Sequence, residues 1–272
     1  MIFIVLGFIF VGLLIGVLAG LFGFGGGLIV VPAVMTFITI YAPAFASDSM
    51  HIAIATSLFC MIFTSLTASY AHHRAKNILW NIVLKLKGGL IFGVIFGAVI
   101  ASYFSSEVLK ALFVIFMLYT IIKWVSKLLS NSKSSVAVED LPVNKPSSRV
   151  LYIYGFITGT VSVLLGIGGS IIIVPFFKHR NYKLAQAAAI ATSITPVLAL
   201  FGAVSYILLG SDSSSVPDYC LGFVYLPAAI GIIIGSMIGA IFGVKLSKSI
   251  PNNIQNTIYL FIMVVVLLVM IL

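Results

Sequence analysis

Apolar residues in this chain come in long unbroken runs, with neither the alternation of a half-exposed strand nor the narrow stripe of a helix packed on a soluble core. A helix crossing a hydrocarbon layer of about 30 Å needs roughly 20 mostly apolar residues. Uncharged stretches of that kind are Ile52 to Ala71, Gly88 to Ser106, Ala185 to Gly210, Tyr219 to Val244 and Ile254 to Leu272. Val108 to Val125 makes a sixth, because its charges, Lys110 and Lys123, lie near its ends and can snorkel to the interfaces. Two more uncharged stretches, Met1 to Ser47 and Val150 to Phe177, are interrupted by glycines, with a proline soon after. The second, at 28 residues, is too short for two full crossings. Both read as hairpins of broken helix. The pattern predicts an all-α polytopic membrane protein, with six full crossings plus two hairpins if the hairpins are re-entrant, and up to ten helices in all. The N-terminal MIFIVLGFIF lacks the basic region of a signal peptide and is expected to belong to the mature protein.

The two halves repeat one another. GFGGGLIVVP at Gly23 to Pro32 recurs as GIGGSIIIVP at Gly166 to Pro175, and Gly12 and Gly16 recur at the same offset as Gly155 and Gly159. Further on, Ile54-Ala55-Thr56-Ser57 recurs as Ile190-Ala191-Thr192-Ser193, each followed by a Ser-Tyr pair (Ser69-Tyr70, Ser205-Tyr206), and Gly93 and Gly97 recur as Gly231 and Gly235. Matches in one order argue for a duplicated unit. The expected division is a first repeat at 1–125, a serine-rich solvated linker at 126–149 and a second repeat at 150–272.

Charge sets the orientation, since short loops rich in Lys and Arg stay in the cytoplasm. Arg74, Lys76, Lys85 and Lys87 follow the first Ser-Tyr pair, whereas the equivalent stretch of the second copy, Ser211 to Tyr219, carries Asp212 and Asp218. Conversely, Pro43 to Met50 carries only Asp48, while its counterpart holds Lys178, Arg180 and Lys183. Equivalent loops of opposite sign predict inverted repeats, with the linker cytoplasmic and both termini outside. This topology leaves Lys110 as the one basic residue on the outer side.

Composition narrows the class further. The chain has 272 residues, 61% hydrophobic and 8% charged, with a mean hydropathy of +1.24. Soluble domains carry about 25% charged residues, so an ordinary cytosolic enzyme is excluded, as are a disordered chain and a disulfide scaffold. A net charge of +9 would suggest nucleic acid in a soluble protein. Here the basic residues lie between apolar runs and serve as topology anchors, so the expected surroundings are the lipid bilayer and a small anionic substrate, with no nucleic acid. Cys60 and Cys220 give no metal spacing and no disulfide framework, and neither a metal nor a cofactor is expected.

Candidate chemistry centres on the glycine breaks. Neither fits a dinucleotide fingerprint. Small residues every four positions, as in Gly12-Gly16-Gly20 and Gly231-Gly235-Gly239, are read as helix packing. Contiguous glycines differ, because they release backbone groups that hydrocarbon cannot satisfy and that are tolerated only where they line a cavity or are buried in protein. The N–H groups of the helices restarting after Gly23, Gly25, Gly26 and Gly27, and after Gly166, Gly168, Gly169 and Ser170, would point at the breaks. Brought together near the midplane, they would bind an anion without a charged side chain. Thr56, Ser57, Thr192 and Ser193 could add hydroxyl donors, or could bond their own helices instead. Pro32, Pro175 and Pro196 are read as structural kinks. The histidines lie at segment ends and no Asp, Glu, Lys or Arg falls in the middle of a clear crossing, which removes the usual cation-coupling group. No catalytic residue is expected.

These residues resemble a known family, the sulfite exporter TauE/SafE family, also called the toluene sulfonate uptake permeases. The resemblance rests on the paired glycine and Val-Pro segments, the two Ala-Thr-Ser stretches and the basic His72-His73-Arg74 loop, and it covers nearly the whole chain. It implies a multi-pass inner-membrane transporter of sulfite, thiosulfate, sulfonates or sulfoacetate-like anions. Ser170 departs from the first copy, which has Gly27. The expected function is alternating-access transport of such an anion, with an anion channel or a permease for organic carboxylates as the alternative.

Overall fold

The computed structural model describes residues 2–22, 26–130, 144–211, 217–247 and 252–271. Within them lie ten α-helices: α1 (Ile2–Phe22), α2 (Gly27–Tyr41), α3 (Ser49–Arg74), α4 (Trp80–Tyr103), α5 (Ser106–Ser130), α6 (Ser148–Leu165), α7 (Ser170–Lys178), α8 (Leu184–Gly210), α9 (Leu226–Ser247) and α10 (Asn252–Ile271). A 3-10 turn, Pro43–Asp48, leads into α3. The protein is an all-α polytopic membrane protein, and six of its described helices are long and apolar enough to cross a bilayer: Pro43–Arg74, Trp80–Tyr103, Ser106–Ser126, Ser148–Leu165, Ala185–Gly210 and Leu226–Gly243. The outward side chains agree with a lipid environment. Phe92, Phe96 and Val99 on α4, Ile115, Tyr119 and Ile122 on α5, and Ile234, Ile241 and Phe242 on α9 are all exposed, a density of apolar surface that a water-soluble monomer does not tolerate.

The set of span-length helices differs from the sequence expectation at two places. Ser148–Leu165 is continuous helix of spanning length, whereas in the C-terminal segment the described apolar stretch is the shorter Leu260–Ile271. At about 1.5 Å per residue α6 reaches roughly 27 Å but the nine-residue α7 only about 13 Å, so α7 cannot return across a bilayer. Two boundaries also move. Tyr219 to Val244 is not one helix, because Cys220–Leu221 and Val224–Tyr225 pair as two antiparallel strands, β1 and β2, turning at Gly222 before α9 begins. Lys85 and Lys87 lie inside α4, in its first two turns, rather than in the preceding loop.

At the centre α3 packs on α8. Met50, Ile52, Ala53, Ile54, Ala55, Thr56, Ser57 and Leu58 are all fully buried, so α3 is enclosed all round for more than two turns, and Ala187, Ala189, Ile190 and Ala191 of α8 match it. Around this pair, α1 lies along α9 and α4 along α6. Glycines allow both approaches. A methyl group added at Gly12 would sit 2.7 Å from the Ile232 Cα, and one at Gly16 2.6 Å from the Ser236 Cα, while at Gly235 and Gly239 it would run into the backbone of Ile9 and Leu13. Gly93 on α4 meets the Phe156 backbone and Gly159 on α6 meets that of Leu90 in the same way, with the Thr160 hydroxyl donating to the Gly93 carbonyl at 3.0 Å. The small-residue series therefore do what the packing reading assigned to Gly12, Gly16, Gly231, Gly235 and Gly239.

Candidate anion site at the helix breaks

Each break holds a glycine in the left-handed region, where a side chain would be strained: Gly26 just before α2 and Gly166 just after α6. Gly26 has φ 77° and Gly166 has φ 66°. At the second break several backbone groups have identified partners. Gly166 caps α6 by donating its N–H to the Ser162 carbonyl, and the Ile167 N–H donates to the same oxygen at 3.1 Å. The Val163 carbonyl accepts the Tyr206 hydroxyl of α8 at 3.2 Å, and the Gly166 carbonyl accepts the Ser57 hydroxyl of α3 at 2.7 Å. Two carbonyls at the end of α6 are thus satisfied by side chains from both central helices, which is how irregular backbone survives in an apolar interior.

The two breaks meet. A methyl group at Gly27 would lie 2.8 Å from the Gly166 oxygen and 2.9 Å from the Met61 sulfur, and one at Gly166 would lie 2.8 Å from Val31 Cγ2 and 3.0 Å from the Ile54 Cα. Ser57 sits between them, its hydroxyl also 3.4 Å from the Gly27 carbonyl. Beyond the contact α2 restarts with the N–H groups of Ile29 and Val30 on the Gly26 carbonyl, and α7 with those of Ile172 and Ile173 on the Gly169 carbonyl. The N–H groups of Gly27 and Leu28, and of Ser170 and Ile171, precede these first bonds and have no acceptor within their helices.

Of the sequence-predicted residues, Gly26, Gly27, Ser57 and Gly166 come together here, and Gly168, Gly169 and Ser170 continue buried into α7. Gly23 and Gly25 lie outside the described residues. Thr56 is fully buried but turns its oxygen to the Tyr225 N–H, at 3.0 Å, holding the end of β2. Thr192 and Ser193 bond their own helix, to the carbonyls of Ala188 at 2.9 Å and Ala189 at 2.7 Å, and Ser69 Oγ stands 3.4 Å from Ser193 Oγ. Pro32, Pro175 and Pro196 all lie inside helices, α2, α7 and α8 respectively.

Sequence reasoning missed two hydroxyls. Thr158 and Ser162, one turn apart on α6, are fully buried, and with Ser170 they have no hydrogen-bond partner among the described residues. A buried hydroxyl without a partner costs about 1–3 kcal/mol. They were hidden by Gly155 and Gly159, which marked the helix as a packing surface. The signal that could have found them is the repeat itself, since the same offset places Ile15 and Ala19 at these positions in the first copy.

His51 also departs from expectation. Although it stands near the start of α3, it is buried, with Nε2 3.2 Å from the Ala101 carbonyl, Nδ1 3.3 Å from Ser106 Oγ and 4.0 Å from Asp48. A carbonyl only accepts, so Nε2 carries a proton. The ring borders a cavity of about 410 Å³ lined by Ser47, Asp48, Ser102, Ser105, Ser106 and Phe223 among others. No other titratable side chain, and no Asp, Glu, Lys or Arg, is among the buried polar residues described, apart from the buried Tyr182, Tyr206 and Tyr225 and Cys60. Among the described residues no group of three His, Cys, Asp or Glu could hold a metal ion.

A membrane-embedded pair of broken helices with neutral donors is the arrangement to compare with known proteins. The family model for "Sulfite exporter TauE/SafE" matches residues 8–271. The chain belongs to that family. Its relatives include a "Probable membrane transporter protein" of Haemophilus influenzae, 33% identical over 82% of this chain and 81% of the relative. Another, of Methanocaldococcus jannaschii, is 30% identical over 82% of this chain and 78% of the relative. "Probable membrane transporter protein YunE" of Bacillus subtilis is 27% identical over 73% of this chain and 77% of the relative. No solved structure matches. This TauE/SafE protein is a multi-pass membrane transporter.

Proposed function

We propose that the transporter moves a small sulfur-containing oxyanion, of the sulfite, thiosulfate, sulfonate or sulfoacetate type, across the cell's inner membrane by alternating access. The observation that carries this reading is the meeting of Gly27, Gly166 and Ser57, which joins both helix breaks at one buried point. N–H groups at the starts of α2 and α7, with no acceptor within their own helices, supply positive potential there, and the neutral surroundings leave it unscreened. Gly23, Gly25, Gly26, Gly168, Gly169 and Ser170 complete the backbone cradle in this reading. Thr56, Thr192 and Ser193, whose oxygens already have backbone partners, shape its walls. Pro32, Pro175 and Pro196 act as kinks at which helix segments can tilt.

Alternating access needs two halves that rock about the site. Supporting this, the packing repeats itself on exchange of the halves: α1 lies on α9 as α6 lies on α4, and α3 faces its own counterpart α8. The local geometry repeats too. A methyl group at Gly26 would meet Ile15, and one at Gly169 would meet Thr158, the residue at the equivalent place. Repeats at 1–125 and 150–272, inverted by the charge pattern, put the linker in the cytoplasm and both termini outside. The cavity beside His51 then opens on the outer side.

The test is uptake and efflux in liposomes against a panel of labelled anions: sulfite, thiosulfate, methanesulfonate, sulfoacetate and acetate. Saturable flux of at least one sulfur anion is expected. Flux that rises linearly with concentration would mean a channel, and exclusive movement of acetate a carboxylate permease.

A further inference from the structure

Hydroxyls without hydrogen bonds gather at one helix break and not at the other. Many other helix-borne hydroxyls bond the carbonyl four residues back, as Thr64 to Cys60, Thr120 to Phe116, Thr192 to Ala188, Ser193 to Ala189 and Thr195 to Ala191. Thr158 and Ser162 do not, although α6 offers them the same carbonyls. Their spacing of four residues puts both on one face of α6. Thr158 packs on the break, its methyl 3.0 Å from the place of a Gly169 Cβ, and Ser162 lies at the last turn of α6, where its backbone carbonyl receives the N–H groups of Gly166 and Ile167. Ser170 stands at the other end of the break, opening α7, and is buried and equally unpartnered.

The first copy lacks these oxygens in its sequence. Ile15, Ala19 and Gly27 occupy the positions of Thr158, Ser162 and Ser170, and Ile15 Cγ2 approaches the place of a Gly26 Cβ to 2.8 Å as Thr158 approaches Gly169. The two copies therefore differ in polarity at these positions, which carry hydroxyls in the second copy and none in the first.

We infer, resting on the reading of the breaks as the transport site, that Thr158, Ser162 and Ser170 hold the oxygens of an XO3 group. Three hydroxyl donors, aided by the N–H groups of Ser170 and Ile171, suit the three oxygens of sulfite or a sulfonate. In this reading the side chains of Ile15 and Ala19, which pack over Gly26, take the fourth direction, where sulfite has a lone pair and a sulfonate has carbon. A planar carboxylate offers two oxygens and leaves one hydroxyl unpaired in a dry site, which is a strong basis for rejecting it. Specificity for sulfur anions thus resides in the second copy.

The experiment uses the full chain in liposomes, with labelled sulfite and labelled methanesulfonate as probes and acetate as competitor. Thr158→Val keeps the branched shape against Gly169, and Ser162→Ala reproduces the first copy. Each should weaken uptake affinity about tenfold or more, in proportion to a lost hydrogen bond to a charged ligand, and should narrow the preference for methanesulfonate over acetate. Ligand-free thermal stability should stay level or rise, because an unpaired buried hydroxyl has been removed. Wild-type affinity and preference in both variants would overturn the inference, as would affinity lost only together with thermal stability. Ser57→Ala separates the two levels. If it cuts uptake while Thr158→Val and Ser162→Ala do not, the hydroxyl wall is wrong and the breaks remain the site; if all three transport normally, the site itself is wrong.

Discussion

The hydroxyl of Ser57, on α3, donates to the carbonyl of Gly166, at the end of α6, over 2.7 Å. It satisfies a buried acceptor at the break after α6 and ties α3 to that break. Ser57→Ala leaves that buried carbonyl unpaired and should cost about 1–3 kcal/mol. Its counterpart in sequence, Ser193, bonds its own helix at Ala189, so Ser193→Ala should cost less than about 0.5 kcal/mol. Thermal unfolding of the two variants in detergent checks this, and equal losses would remove the distinction.

Close helix approach makes a second prediction. Gly93→Val sets a branched side chain against the Phe156 backbone, and Gly235→Val against that of Ile9, and backbone cannot give way as a flexible side chain can. Both variants should lose the folded, monodisperse species on size-exclusion chromatography. Gly7, also helical, has nothing within 4 Å of its added methyl, so Gly7→Ala should keep it, with stability level or raised by up to about 1 kcal/mol.

These contrasts show which features sequence could carry. Glycines in series and glycines in clusters read differently because a four-residue spacing preserves a helix and a contiguous run destroys it, and the structure separates Gly12 and Gly16 from Gly26 and Gly27 on that ground. Hydroxyl direction was not legible. Thr158 and Thr192 have the same chemistry, yet only Thr192 bonds its own helix, a choice made by rotamer and neighbours. Nor was the turn at Gly222 visible, since Val224 and Tyr225 are as apolar as the helix they precede. His51 was missed because position near a helix start says little about burial when another element, here the α4–α5 junction, covers it.

Orientation is open to cysteine labelling because the native thiols are poor reporters. Cys60 is buried, and burial pushes the Cys220 thiol up to about 12. A raised thiol pKa means almost no thiolate at pH 7, and the thiolate is the form that reacts with a maleimide. A cysteine placed at Ser135 should label only after permeabilisation, and one at Ser213 in intact cells. Labelling of both from outside would end the inverted arrangement.

The last prediction follows from charge. Among the described residues no Asp, Glu, Lys or Arg is buried, so an anion held at the joined breaks, as proposed, would meet only N–H and hydroxyl dipoles. Dipoles stabilise a charge without neutralising it, so a bound anion crosses the membrane as net charge. The potential acts on each such charge by about 2.3 kcal/mol per 100 mV. With the inside negative, the bias drives an anion outward. Export should therefore run unaided, whereas uptake should need a proton travelling with the substrate. In liposomes at fixed pH, with a potassium and valinomycin gradient setting the voltage, efflux of labelled sulfite should rise several-fold as the interior is made more negative. Flux indifferent to voltage, with no proton movement alongside it, would point instead to exchange of one anion for another, in which the charges cancel over the cycle.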